Sequence, residues 1–403
     1  MTPDAEFTVD TAGRDLGIRF TLPLHDDTEY TVRVAGVTGL GGGPSTTVTE
    51  TFRTPGLQTY LLERGRHGDR ILRTDLHGAD PVPVFSGEHI EDFRATTGHL
   101  VISTLDAKGN TALVVTDLQG KGERTLPLPG PGTICRLQSA DRGELVGYTF
   151  SDAALGTAGA RENRLFIASV KDAAADTAPT EVAVSGTEKR VADWRFVPDS
   201  DSILVLTYDG RMLPSSADGQ DAADLGTGMA IDGIARGSSV AVVERADGMV
   251  TVDLTDGTQN TLTKASLDGR DVPGRMGVVT PIPGADGGSI RPYTVLDVAG
   301  GTGAGQGVPE GTRVYRVAGD GAAASVFDMP PTDALLQTCV SPSGQYAAIT
   351  VAPDAVSNSY DQYRMPMPTR VVTHVIALAD GSAVHTFTGF DLSWCQVPPP
   401  PSQ

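Results

Sequence analysis

The sequence predicts an all-β chain. Most of its length is expected to form a seven-bladed β-propeller of four-stranded blades, with the ring closed by the C-terminal strand and a partial β-sandwich in front. Three observations predict this. A unit of apolar strand, turn, alternating strand, turn, third strand and a more polar last strand recurs six times between His89 and Gly389. Glycine and proline, 48 and 27 of 403 residues, suit many short turns better than long helices. A final apolar stretch, Asp391 to Gln396, stops before Pro398 with no partner strand after it, so it must pair far back in the sequence.

Composition excludes some function classes. A formal net charge of −19 disfavours nucleic acid, which calls for clustered Lys and Arg. No apolar run is long enough to span a membrane. The opening residues Met1-Thr2-Pro3-Asp4 are polar and acidic, unlike an export signal. Two expectations follow: a cytoplasmic chain, or an extracytoplasmic one whose export signal lies upstream of this sequence.

Residues 1–55 bear on that choice. Glu6 to Asp10 and Leu16 to Leu22 alternate, and turn residues separate them. Leu24 stands six residues before Tyr30, which opens the alternating run Tyr30-Thr31-Val32-Arg33-Val34, and Thr47 to Thr54 follows as a last strand. This arrangement resembles the tyrosine corner of immunoglobulin-like and fibronectin-type-III sandwiches. It is similar to the C-terminal part of a bacterial Ig-like (SbsA-type) domain of surface-layer and envelope proteins. Such a sandwich needs about seven strands. The resemblance therefore implies a partial Ig-like domain whose front half is supplied elsewhere, and an extracytoplasmic setting. The alternative is a small β cap that packs on the next domain.

Residues 57–396 form the propeller. The clearest copy runs from His89 to Pro129, with strands at Ile90–Arg94, His99–Leu105, Ala112–Leu118 and Glu123–Leu128. Copies follow at Thr133–Gly186, Val191–Gly228, Ile231–Lys264, Met276–Pro330 and Leu335–Gly389. In the Ile231–Lys264 copy only three strands stand out, at Ser238–Glu244, Met249–Leu254 and Gln259–Leu262. Gln58 to Gly87 holds three strands and lacks an inner one, which Asp391–Gln396 supplies. Closure leaves only short, protected edges. The short third strand at Gly210–Pro214 is the least regular element, and six or eight blades is the alternative count. Residues 397–403 are a proline-rich tail.

Val340-Ser341-Pro342-Ser343-Gly344-Gln345-Tyr346, between the first two strands of the last copy, resembles the turn of TolB-like and WD40-like propellers, and Val197-Pro198-Asp199-Ser200 is a looser copy. Aligning Pro342, Pro198 and Pro398 puts Cys339 and Cys395 at equivalent places on neighbouring inner strands. They form either a disulfide that locks the ring or two buried thiols beyond bonding reach. Cys135 aligns elsewhere and reads as a buried free thiol.

No catalytic residue, metal ligand or cofactor site is assigned. Gly301 to Gly307 is glycine-rich but opens no helix and precedes no Lys-Ser/Thr. The seven histidines are scattered. There is no calcium-loop pattern and no Gly-x-Ser-x-Gly elbow. Loop length is the informative feature. The connections from second to third strand swell at Ser151–Asn163, Ala299–Gly311 and Ala352–Thr369, all on one rim. The last contains Tyr360, Tyr363, Arg364, Met365 and Met367, residue types enriched at interface cores. These five are the candidate partner-binding residues. The bland alternative is a loop folded over its own ring. The function expected is a non-enzymatic envelope or extracellular propeller binding a protein or polysaccharide. The alternatives are a lyase or glycan hydrolase with acidic residues at the channel, and an intracellular scaffold.

Overall fold

The computed structural model describes residues 1–12, 15–38, 41–76, 80–141, 143–171, 178–216, 224–284, 286–297 and 308–395. Every regular element among them is a β-strand. Seven sheets succeed one another around a central channel. Strands are lettered a to d from the channel outward, and blades are numbered in chain order.

Blade 1 contains Gln58–Glu63, Asp69–Asp75 and Val82–Gly87 as strands b, c and d. Blade 2 has Ile90–Ala95, His99–Leu105, Thr111–Asp117 and Arg124–Leu126. Blade 3 has Gly132–Ser139, Leu145–Asp152, Arg164–Ser169 and Thr180–Glu181. Blade 4 has Val191–Phe196, Ser202–Thr207 and Met212–Ser216. Its outer edge is extended by the segment Leu225 to Gly228, which bonds Met212 and Gly210 through the backbone and bridges Arg211 through Thr227. Blade 5 has Ala230–Ile234, Val240–Arg245, Gly248–Asp253 and Gln259–Thr261. Blade 6 has a split inner strand, Arg275–Met276 and Thr280–Pro281, then Ser289–Asp297, Val308–Val317 and Ala323–Met329. Blade 7 has Ala334–Val340, Tyr346–Ala352, Val372–Ala377 and Ala383–Thr388.

The core lies between blades. Strand faces alternate, so each blade can bury both faces only against its neighbours. Six apolar clusters each join one neighbouring pair; in one, Val101, Leu113 and Val115 of blade 2 meet Ile134, Val146, Tyr148 and Phe150 of blade 3. A seventh packs blade 6 against the segment around the hairpin Ser266–Leu267 and Arg270–Asp271. Close approach fixes small residues here. A Cβ on Gly147 would lie 2.4 Å from Trp194 Cη2.

The C-terminal segment closes the ring, but not as the regular strand expected from Asp391 to Gln396. Phe390 exchanges both backbone hydrogen bonds with Leu62 of blade 1, at 2.9 and 3.0 Å. Asp391 then takes a left-handed φ of 60° and breaks the extended course. Ser393 N–H still donates to Tyr60 O at 2.9 Å, and the Trp394 indole donates to Thr59 Oγ1 at 2.9 Å. Gln396 and the proline-rich tail lie outside the described residues. Cys339 and Cys395 form a disulfide with their Cα atoms 5.5 Å apart, joining blade 7 to this segment. Cys135 is a free, half-buried thiol.

Residues 1–55 make two hairpins, Phe7–Ala12 with Asp15–Phe20 and Glu29–Val37 with Thr46–Arg53. Buried Tyr30 accepts the backbone N–H of His25 on its hydroxyl at 3.0 Å, tying the second hairpin to the loop before it. The module rests on the rim formed by the a–b turns. Asp26 accepts from the Ser343 hydroxyl at 2.8 Å, and Leu22 covers Gly237.

Candidate functional site: the channel and its mouth

The inner strands share one irregularity. Register shifts interrupt strand a of blades 2, 3, 4, 5 and 7, between Ile90 and Asp92, Cys135 and Gln138, Val191 and Asp193, Ile231 and Gly233, and Leu335 and Gln337. A bulge re-aims the side chain of the extra residue. The residues within these shifts include Glu91, Arg136, Ala192, Asp232 and Leu336, and all five line a central cavity of about 1310 Å³.

Charged groups in this channel tie blade to blade. Asp92-Phe93-Arg94 in blade 2 and Asp193-Trp194-Arg195 in blade 4 build the same clasp. In each, the aspartate accepts the next residue's backbone N–H, at 2.8 and 2.9 Å. The arginine lies against that aspartate and donates to a carbonyl of the following blade, Leu137 at 2.8 Å and Ile231 at 2.6 Å. Gln138 reaches Trp194 O at 2.7 Å, Asp193 accepts Ile231 N–H at 3.2 Å, and Asp232 accepts Val279 N–H at 2.7 Å. Thr280 bonds Thr338 between blades 6 and 7. Arg94 meets Asp391 between blades 1 and 2, and the disulfide joins blades 7 and 1. Every junction of the ring therefore has a polar or covalent tie beside the channel.

Burial shifts two of these carboxyls. Asp92 is held well above the ordinary aspartate range, chiefly by loss of solvent, with Arg94 opposing and Asp391 reinforcing. Asp232 is pushed up to about 6, again mainly by burial, with the Val279 N–H opposing. Cys135 is raised by burial, which the guanidinium groups of Arg364 and Arg136 counter.

The b–c loop of blade 7 reaches over the mouth. The Tyr363 hydroxyl donates to the Asp69 carboxylate at 2.8 Å, and its ring stacks on His89 at 4.0 Å with Arg64 3.9 Å from its centroid. Burial first, then the Asp69 contact, raises this phenol's pKa. Arg64 pairs with Asp361 at 2.8 Å, both largely buried. Buried Glu91 accepts the backbone N–H groups of Arg364 and Met365, each at 3.1 Å. Met367 packs on the cluster between blades 1 and 2. Of the five residues singled out in sequence, Tyr363, Met365 and Met367 thus face the ring, Arg364 lines the cavity and Tyr360 is 48% exposed.

The loop of blade 3 lies on the same rim and exposes Leu155. Of the third long connection, 298–307 lies outside the described residues, and Val308 to Gly311 continue a strand instead of a loop because they pair with Val295 to Asp297. The glycine run 301–307 is therefore also undescribed.

The channel charges escaped the sequence reading. Their signal was the triplet Asp-aromatic-Arg repeated at 92–94 and 193–195.

No family model matches the chain, and no curated protein matches it in sequence. Among solved structures, the β-propeller domain of Myceliophteria thermophila Cps50 (Swd1) is 10% identical, with a TM-score of 0.45 over 75% of this chain and 86% of that one. A protein of Bacteroides fragilis assigned as a 6-phosphogluconolactonase is 10% identical, with a TM-score of 0.48 over 81% and 93%. A protein of Agrobacterium tumefaciens assigned as TolB is 12% identical, with a TM-score of 0.38 over 82% and 90%. These are likenesses of fold, and none speaks to activity.

Proposed function

We propose that the chain is a non-enzymatic, extracytoplasmic binding propeller that takes a protein or polysaccharide on the rim carrying the b–c loops. One observation supports this reading above others. Among the described residues, four of the seven carboxylates that line the channel, Asp92, Asp193, Asp232 and Asp391, are each engaged by backbone N–H groups or arginine in the ties between blades. Groups spent on holding blades together are poor candidates for proton transfer to a substrate. The opposite rim is partly occupied by residues 22–26. The b–c rim presents exposed Leu155, Val356 and Tyr360. A disulfide suits an oxidising compartment. The Tyr30–His25 bond supports reading residues 1–55 as part of an Ig-like domain.

The second reading is a lyase or glycan hydrolase using Asp232, whose raised pKa suits an acid or base. One experiment separates the two. A photo-crosslinking phenylalanine analogue is placed at position 360 and, on the opposite rim, at position 256, and the chain is incubated with the envelope fraction of its source. Saturable, competable crosslinking at 360 alone supports the binder. Turnover of a glycan that Asp232→Asn abolishes supports the enzyme and overturns the binder.

A further inference from the structure

Five arginines line the channel, and they are not equally engaged. Arg64 holds Asp361 and the carbonyls of Ile90, Glu91 and Met365. Arg195 holds Asp193 and two carbonyls. Arg236 pairs with Asp141 at 2.6 Å. Arg136 differs. Its Nη1 touches Asp193 at 2.8 Å, but that carboxylate already serves Arg195, so one anion balances two cations, and the Arg136 side chain stays 36% exposed. Arg364 goes further, for its guanidinium has no hydrogen-bond or ion-pair partner among the described residues, although it lines the cavity.

Arg364 is nevertheless held in place. The two oxygens of Glu91 fix its backbone N–H and that of Met365. The preceding Tyr363 is clamped between His89, Arg64 and Asp69. The backbone is pinned by a carboxylate while the cation is left unpaired in a concave site. Glu91, which holds the Arg364 backbone, and Arg136 stand in the inner-strand bulges of the adjacent blades 2 and 3, so the two arginines line neighbouring sectors of the channel.

We propose that Arg364 and Arg136 form an anion subsite at the channel mouth, and that its ligand is the carboxylate of an acidic sugar, a uronic-acid residue of a polysaccharide. Guanidinium pairs carboxylate in two parallel hydrogen bonds, which fixes orientation as well as charge. A monoanion fits better than a phosphate dianion, because the chain carries −19 and the carboxylates of Glu91 and Asp92 stand in the same wall. The sugar assignment rests on the rest of the lining. On the b–c rim Asn163 offers an amide and half-exposed Tyr208 a ring face, both in the cavity lining. At about 1310 Å³ the cavity exceeds what a single sugar ring needs, so it suits a chain end of several residues. The inference rests on the binding reading above in placing the partner on this rim.

The test is isothermal titration of the full chain with trigalacturonate, its methyl ester and inorganic phosphate. Saturable binding of trigalacturonate, about tenfold or more weaker binding of the ester, and a similar loss in Arg364→Ala are expected. Arg364→Ala should keep the thermal midpoint, since its guanidinium holds nothing internal, and Arg364→Lys should recover only part of the affinity. No binding of trigalacturonate, equal binding of the ester, stronger binding of phosphate, or an unaffected Arg364→Ala each overturns the proposal. Trigalacturonate binding without a crosslink at 360 fails the rim reading alone. A crosslink at 360 without trigalacturonate binding fails this inference alone.

Discussion

Arg94 Nη1 lies 2.5 Å from Asp391 Oδ1, and both side chains are 1% exposed. The pair joins blade 2 to the closing segment, and the same arginine continues to Leu137 O in blade 3. Removing one partner of a buried ion pair strands the other charge and costs about 3–5 kcal/mol. Arg94→Met is therefore expected to lower unfolding free energy by that order. The double variant Arg94→Met/Asp391→Asn should recover part of it, and urea denaturation of the four forms should give a coupling of about 1–3 kcal/mol. A coupling near zero would mean the pair does not join these blades energetically.

The disulfide gives a second expectation. Cys339 and Cys395 are separated by 56 residues. Constraining a loop of that size in the unfolded chain stabilises by about 4 kcal/mol in the chain-entropy treatment. Dithiothreitol should lower the urea midpoint of the native sequence markedly and leave that of Cys395→Ala unchanged. Equal sensitivity of both proteins would refute the assignment.

Asp232 sets a pH dependence. Its folded-state pKa of about 6 lies above the ordinary 3.8, so folding takes up a proton between these values. Its stabilising contribution is complete below about pH 4 and is lost as pH rises through 6, a loss bounded at about 3 kcal/mol. Asp232→Asn keeps an acceptor for the Val279 N–H but cannot titrate. Comparing stability at pH 4.5 and 6.5, the native chain should fall more than the variant. Parallel slopes would remove Asp232 as the titrating group.

Much of the ring was legible in sequence because strand alternation and glycine-rich turns are local properties. The second strand of blade 2 runs from His99 to Leu105 as the alternation indicates. The inner strand of blade 5 was not legible, since Asp232 and Gly233 interrupt its apolar pattern where the strand bulges. Asp391 hid the irregular course of the closing segment for a related reason. Its left-handed backbone is a tertiary choice made to reach Arg94, and the surrounding Phe390, Leu392 and Trp394 still read as a strand. The mouth was partly legible. Loop length pointed to residues 352–369, but the anchors Asp69 and Glu91 come from other blades, and only folding brings them to Tyr363 and Arg364.

Ring closure by the segment 390–395 underlies the rest, and amide hydrogen exchange at Leu62 tests it most directly. That N–H donates to Phe390 O at 2.9 Å and faces away from its sheet partner in blade 1. Exchange as slow as that of core amides in the same blade is predicted for the full chain. Fast exchange at Leu62 alongside a protected blade core would contradict closure.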